Sequence, residues 1–373
     1  MNRCRACGHE GLRRVLDLGT VPAADHFPPA GQPVAADEGV HPLAMDLCAD
    51  CGLAQLADDD TVTAEPRGVE PRALREQALD AVRLVERAGW LRGATVREFG
   101  SPHGGTWVPL LAERGFTPVV EGPSSAQPAA DVVLDCFGIM HEPDQRAAFA
   151  RRAEATAPGG VLLLQYHSLS AIVRQGQWNA LRHGHFAYYS LPALARLLGA
   201  AGMRVVTAWD FDLYGGTVLL AAVHDDDPRA TRPEPVVAST VAADAAVTDA
   251  EVVGGLQSAA DDYTAALRSW LTAHRNSGRR VYGYGAASRA VAAFAMAGLD
   301  RSLIAGVADA SDAKQGRRMP GTDVPIISPE DLVAADPDLV LLTLPDLLAE
   351  VSQRLPALTG RWRTDDHVSM RSG

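Results

Sequence analysis

The sequence is short of positive charge. Its 34 lysines and arginines face 46 aspartates and glutamates, a formal net charge of −12, and the pI lies near 5.4. So acidic a chain is not built to hold a phosphate backbone or an anionic membrane surface as its main partner. Long hydrophobic runs are missing as well. No apolar stretch approaches the roughly 18 residues that a bilayer span needs. The first residues, Met1–Cys7, carry no hydrophobic signal region, so a cytoplasmic location is expected. Cysteine is scarce: there are five, and four of them stand in C-x2-C pairs, which suits a reducing compartment and a metal better than disulfides. Apolar residues are plentiful, at 47% of 373 positions, enough for the cores of two or three domains.

The cysteine pairs are Cys4-Arg5-Ala6-Cys7 and Cys48-Ala49-Asp50-Cys51. Each offers two thiolates from a tight knuckle, and the four complete a tetrahedral zinc shell with no position left for water. That makes the metal structural, holding a small module over residues 1–58 that has little core of its own. Val15–Leu18 and Pro42–Leu47 read as its strands. Residues 59–92 read as a linker, acidic and proline-broken over 57–72, followed by a helix. Leu74, Ala78, Ala81, Val82 and Val85 recur with a helical period over Ala73–Ala88.

Residues 93–225 read as a doubly wound α/β domain, so the fold class is α/β. A strand over Thr95–Phe99 runs into Gly100-Ser101-Pro102-His103-Gly104-Gly105 and then a helix over Thr106–Arg114, the opening of a nucleotide-binding fold. Glycines let a ligand approach the backbone, and a helix N-terminus favours negative charge. Glu121 ends the next strand, Thr117–Val120, where an acidic side chain holds ribose hydroxyls. Glu98, Gly100, Ser101, Gly104 and Glu121 are therefore the expected cofactor contacts. Strands follow at Asp131–Asp135, Gly160–Gln165, Val205–Trp209 and Val218–Val223, with helices at Ala147–Ala157 and Leu191–Ala201. Residues 226–277 form a connector and a helix, clearest over Val252–His274. A smaller Rossmann-like array occupies 278–360, with strands at Arg280–Tyr284, Ile304–Ala308, Val324–Ile327 and Leu339–Thr343 and a helix over Ala290–Ala297. A polar tail covers 361–373. The glycine turn after Gly283 lacks the three-glycine spacing of a dinucleotide site.

Chemistry concentrates in Trp178–Ser190, W-N-A-L-R-H-G-H-F-A-Y-Y-S. Arg182, His183, His185 and Tyr188 lie within a few residues, and histidine exchanges protons near neutral pH. Tyr214-Gly215-Gly216-Thr217 marks a second tight backbone site.

In order along the chain, these pieces resemble the sugar-nucleotide C-methyltransferases of deoxysugar biosynthesis, a family that joins a zinc module, an S-adenosylmethionine-binding domain and a C-terminal Rossmann-like domain. The resemblance rests on Leu16-Asp17-Leu18-Gly19, Pro42-Leu43 and Leu47-Cys48 through Cys51-Gly52-Leu53, with Gln55-Leu56. In the C-terminal domain it rests on Tyr284-Gly285-Ala286-Ala287, Asp309, Lys314-Gln315-Gly316, Pro320-Gly321-Thr322, Pro325-Ile326 and Pro337-Asp338. It implies an enzyme of natural-product (antibiotic) deoxysugar metabolism whose substrate is a nucleotide-activated keto sugar. His185 matches the family's general base, which takes a proton from the carbon beside a ketone, and His141 matches a histidine that stabilises the enolate. His183, Arg182 and Tyr188 would orient. Tyr214, Gly215, Gly285, Arg289 and Lys314 would contact substrate.

The chain also departs from the family pattern. Arg182 and Gly184 replace the tyrosine and glutamate of a Tyr-His-Glu-His motif. Pro102-His103 replace Asn-Asp, Phe137 stands where asparagine is usual, and Ser288-Arg289 replace an alanine–lysine pair. Thr63–Arg72 holds no tyrosine to cap the methyl donor. Only nine residues separate Glu121 from Asp131, where about 35 are expected for a helix, a strand and another helix. These losses fall on the adenine side and put S-adenosylmethionine binding in doubt. The sequence therefore favours enolisation without methyl transfer, by epimerisation, isomerisation or elimination. An active C-methyltransferase is the alternative, and a catalytically inactive partner protein the third reading.

Overall fold

The computed structural model describes residues 3–61, 70–101, 104–119 and 128–364. The strands of the first part are β1 (Leu12–Val21), β2 (His41–Cys48) and β3 (Ala54–Leu56). Those of the central part are β4 (Thr95–Phe99), β5 (Thr117–Pro118), β6 (Ala130–Cys136), β7 (Thr156–His167), β8 (Ala187–Tyr188), β9 (Met203–Phe211) and β10 (Thr217–His224). The last part contributes β11 (Val281–Tyr284), β12 (Val307–Ala308), β13 (Ile326–Ile327), β14 (Leu339–Leu342) and β15 (Trp362–Arg363).

They form three sheets, ordered β1-β2-β3-β8, β5-β4-β6-β7-β10-β9 and β13-β12-β11-β14-β15. In the second sheet β5, β4, β6 and β7 run parallel, and β10 is antiparallel to both β7 and β9. The third is parallel throughout. Parallel strands need cover on both faces, so β6 and β7 carry near-continuous apolar runs, Val132–Leu134 and Val161–Leu164, all buried.

The strand β8 was not legible in the sequence. Two residues from the central part of the chain pair with β3, Ala54 opposite Tyr188 and Gln55 opposite Ala187. The cysteine module and the central domain also share one core, in which Cys4, Cys48 and Cys51 pack with Ala130, Leu164 and Tyr189. The helix Ala250–Asn276 lies across β1, with Val253, Leu256, Ala260, Leu267 and Leu271 buried at helical spacing. Asp249 caps its start by accepting from the Glu251 amide, and His274 and Arg275 sit in its last turn.

Several elements are shorter than the sequence suggests. The helix expected over Thr106–Arg114 spans Val108–Ala112, and Gly115 follows in left-handed backbone at φ +88°. The strand expected at Thr117–Val120 spans Thr117–Pro118, with the Val119 amide still donating to the Val96 carbonyl at 2.8 Å; Val120 lies outside the described residues. Of the strand expected at Ile304–Ala308 only Val307–Ala308 pair, because Leu303 and Ile304 close a turn onto the Asp300 carbonyl. Conversely β7 begins four residues early, at Thr156. Among the described residues β5 and β9 are the edges of the second sheet. None of the described helices is long and apolar enough to cross a membrane.

Candidate active site

The carboxyl ends of the parallel strands of the second and third sheets face one cleft, where α/β domains place ligands. Phe99 ending β4, Gly100 after it, Phe137 after β6 and His167 ending β7 line one wall. Gly285 after β11, Asp309 after β12 and Leu344 after β14 line the other. The cleft holds about 320 Å³.

The glycine turn is shaped by backbone. Gly104 and Gly105 take φ +86° and +82°, which a side chain would strain, and a Cβ on Gly100 or Gly104 would meet nothing within 4 Å. Glu98 serves this turn: its carboxylate accepts from the Thr106 hydroxyl and, at 2.8 Å, from the Trp107 amide. Burial pushes its carboxyl upward. Glu98 thus lines the cleft but spends its oxygens on closing the turn. Ser101 lines the cleft too, whereas Glu121, Pro102 and His103 lie outside the described residues.

The histidine loop is fixed from three sides. The Phe186 amide donates to the Met140 carbonyl at 2.7 Å, and the Phe186 carbonyl accepts from Leu56 at 3.2 Å. Asp59 accepts from the Gly184 amide at 2.9 Å. Gly184 sits at φ +76°, so the glutamate of the family motif would be strained here. His185 is 4% exposed and meets His141 edge to face, ring centroids 4.4 Å apart. A His141 Nδ1–H donates to the Gly184 carbonyl at 3.0 Å. Arg182 Nε donates to His185 Nε2 at 2.8 Å, and its Nη1 donates to Ser288 Oγ at 3.0 Å. Tyr188 Oη donates to the Ala180 carbonyl and accepts from the Arg182 amide, so it braces the loop from beneath.

Two expected site residues are not brought into the cleft. His183 turns the other way: it is 2% exposed, its Nε2 pairs with the Pro42 carbonyl at 3.1 Å, and its ring approaches His41. Burial pushes it down, toward the neutral form. It anchors the loop to β2: extended chain would put His183 and His185 on one side, but the turn at Gly184, closed by the His185 amide on the Arg182 carbonyl at 3.3 Å, sends them apart. Gly215 forms the turn itself. It is left-handed at φ +79°, its carbonyl accepts from Gln175, and a Cβ would collide with that side chain. Tyr214, Gly285, Arg289 and Lys314 do line the cleft. Arg289 Nη2 donates to Asn179 Oδ1 at 3.1 Å, and Lys314 donates to the Ala286 carbonyl at 3.0 Å with its ammonium 4.7 Å from the Phe27 ring centre.

Among the cleft residues that sequence reasoning did not single out are Gln165, His167 and Met140. Burial, with Arg289 and Arg182 nearby, pushes His167 down to about 3, so it is neutral at physiological pH. Among the described residues its buried Nε2 finds no hydrogen-bond partner, and neither does either amide atom of Gln165. For Gln165 and His167 the signal was available: both are polar, at the end of a strand otherwise apolar from Val161 to Leu164.

Outside the cleft lining, the four module thiols lie within 4.8 Å of one another. Cys4 and Cys51 sulfurs are 3.5 Å apart, Cys7 and Cys48 3.7 Å. Zn–S bonds of about 2.3 Å in a tetrahedron require sulfurs about 3.8 Å apart, so the donor set fits zinc. Both knuckles close alike: the Gly8 amide donates to the Cys4 carbonyl and the Gly52 amide to the Cys48 carbonyl, each at 3.0 Å. Both glycines take φ +75°. The Cys51 thiol bonded to Cys4 pushes Cys4 down to about 5, while burial pushes Cys7 up to about 11.

Family models match three successive stretches. Residues 4–65 match a zinc binding domain, 72–208 a methyltransferase domain, and 212–363 a C-methyltransferase C-terminal domain. C-methyltransferase NovU from Streptomyces niveus is 27% identical over 382 aligned positions, covering 92% of this chain and 89% of that protein. Solved structures align to less than half of the chain. Magnesium protoporphyrin IX methyltransferase from Synechocystis is 13% identical over 43% of this chain and 90% of that one, with a TM-score of 0.30. The 1,6-didemethyltoxoflavin-N1-methyltransferase from Burkholderia thailandensis is 16% identical over 47% and 96%, with a TM-score of 0.31. With a four-cysteine zinc-binding domain, a methyltransferase domain and a C-methyltransferase C-terminal domain in succession, the chain belongs to the C-methyltransferase family.

Proposed function

We propose that this methyltransferase-family enzyme is an S-adenosylmethionine-dependent C-methyltransferase acting on a nucleotide-activated keto sugar. One observation carries the reading. The glycine turn, the His141–His185 pair and the C-terminal loops at Gly285 and Asp309 open into a single cleft. The succession of domain matches and the similarity to NovU support methyl transfer to carbon over the non-methylating chemistry that the sequence alone favours.

The methyl donor, when bound, supplies an electrophilic methyl group. The left-handed glycines Gly104 and Gly105, open space at Gly104, and the wall of Leu74, Trp107 and Met140 fit a nucleoside-type ligand. His185 takes the proton from the carbon beside the ketone. His141 faces it closely enough to serve the enolate oxygen. Because its Nδ1–H is given to the Gly184 carbonyl, a second hydrogen bond from Nε2 requires the imidazolium form. Tyr188, His183 and Asp59 keep the loop in place during proton transfer.

Enolisation without methyl transfer stands second. The observation favouring it is the short adenine side, where nine residues separate Glu121 from Asp131. One experiment separates the readings. The zinc-loaded protein is incubated in heavy water with a nucleotide-activated keto-deoxysugar, with and without S-adenosylmethionine, and followed by mass spectrometry. A methylated, donor-dependent product is the expected result. Deuterium uptake with no methylation at any donor concentration would replace it with the second reading. Neither product, with His185→Gln behaving as wild type, would leave a non-catalytic partner protein.

A further inference from the structure

Two departures from the family pattern, 106 positions apart, touch each other: Arg182, in place of tyrosine, donates from Nη1 to Oγ of Ser288, in place of alanine, at 3.0 Å. The same guanidinium donates from Nε to His185 Nε2 at 2.8 Å. A guanidinium has donors only, so that ring nitrogen presents its lone pair, and the proton of the neutral ring lies on Nδ1. The lone pair on Nε2 is therefore covered.

The cover is held weakly. The Arg182 backbone is pinned, its amide donating to Tyr188 Oη at 3.1 Å. Its side chain, half-buried at the cleft wall, has only neutral acceptors, and among the described residues it forms no ion pair. The third departure, Gly184 for glutamate, removes the nearest carboxylate that the family motif would offer. A carboxylate or phosphate accepting two N–H bonds from a guanidinium makes roughly twice as strong a contact as neutral acceptors do.

We propose that Arg182 and Ser288 form a subsite for an anionic oxygen group of the substrate, carboxylate or phosphate, and that filling it draws the guanidinium off His185. The base is then exposed only when an anionic substrate is in place. This rests on His185 being the base. Among the described residues His141, on the turn Ile139–His141, meets the His185 ring, and Tyr188 on β8 holds the Arg182 amide beside it. Asp59 reaches the neighbouring Gly184 amide.

The test is long-range 1H–15N spectroscopy of the full-length, zinc-loaded protein carrying 15N-histidine, titrated in pH with and without inorganic phosphate or acetate. In wild type, His185 is expected to carry its proton on Nδ1, and added anion to raise its protonation midpoint by about one pH unit, a tenfold change in proton affinity. Arg182→Met is expected to show the higher midpoint already and to ignore the anion. Ser288→Ala should keep the tautomer and bind the anion about threefold to tenfold more weakly, as for one lost hydrogen bond. A response to phosphate alone assigns the subsite to a phosphate, and to acetate alone a carboxylate. Equal midpoints in wild type and Arg182→Met, or an anion response that survives Arg182→Met, would overturn the proposal. Failure of the base reading is seen separately, as undiminished substrate deuteration by His185→Gln.

Discussion

Phe137 and Tyr214 meet edge to face across the floor of the cleft, ring centroids 6.2 Å apart, and both hold left-handed backbone, at φ +62° and +55°. A non-glycine residue in that region costs on the order of 1–3 kcal/mol and persists only where its surroundings fix it. The loop after β6 fixes Phe137: its amide donates to the Gln165 carbonyl at 3.1 Å, and Asp135 holds the next two amides, Gly138 and Ile139, at 2.8 and 3.0 Å.

The family asparagine at this position tolerates left-handed backbone, and a β-branched residue does not. We expect Phe137→Asn to be more stable than Phe137→Val by about 1–2 kcal/mol, although valine is the more apolar replacement. Chemical denaturation of the two variants decides it. The reverse order would mean that ring burial, not backbone, governs this position.

Metal removal should reach the histidine loop. The cysteine module shares a core with the central domain, and β8 is the fourth strand of its sheet. Stripping zinc with a chelator, or replacing the buried Cys48 by serine, is expected to cost several kcal/mol. Hydrogen exchange should rise over residues 181–190 as well as over 3–61. Unchanged exchange at 181–190 after metal loss would show that β8 does not depend on the module.

Acid should loosen the contact between the module and the C-terminal domain. Arg318, 1% exposed, is paired with Glu38 and donates to the Gln32 and Pro33 carbonyls at 3.0 Å each. The guanidinium holds Glu38 down at about 2. Its folded value lies below the unfolded carboxylate range near 4.3, so the stabilisation is full above about pH 4.5 and is lost as pH falls toward 2. Glu38→Gln should lose about 3 kcal/mol at neutral pH and flatten the acid limb in that window. A parallel acid limb in wild type and variant would refute this.

His167 works in the opposite protonation sense. It is held neutral in the fold, down to about 3, while the unfolded chain takes up a proton near pH 6.5. Stability is therefore greatest above that pH and falls on acidification between 6.5 and 3, by up to about 1.4 kcal/mol per unit. His167→Gln should remove this slope, measured by denaturation at pH 7, 6 and 5. An equal slope in both proteins would mean that other groups set it.

Much of this was legible in residue types. The C-x2-C pairs, each followed by glycine, identify a metal knuckle because nothing else needs four thiols at that spacing. The period of Leu74, Ala78, Ala81, Val82 and Val85 gives the helix Arg72–Arg87, and the apolar runs give β6 and β7. Short strands were over-read, since the edge strand β5 and the interior strand β12 depend on partners rather than on their own composition. His183 and His185 look equivalent in sequence, yet one binds the Pro42 carbonyl and the other faces His141.

By itself, then, the sequence determined the fold class, the zinc ligands and the family, because these rest on local period, fixed spacing and motif order. Only the tertiary structure decided what the cleft contains. It made Tyr188 a strand of the cysteine module's sheet, turned His183 away, and brought His167 and Gln165 in. It also set Arg182 between His185 and Ser288. Those outcomes depend on which way a side chain points and on contacts between residues more than a hundred positions apart. No local pattern encodes either.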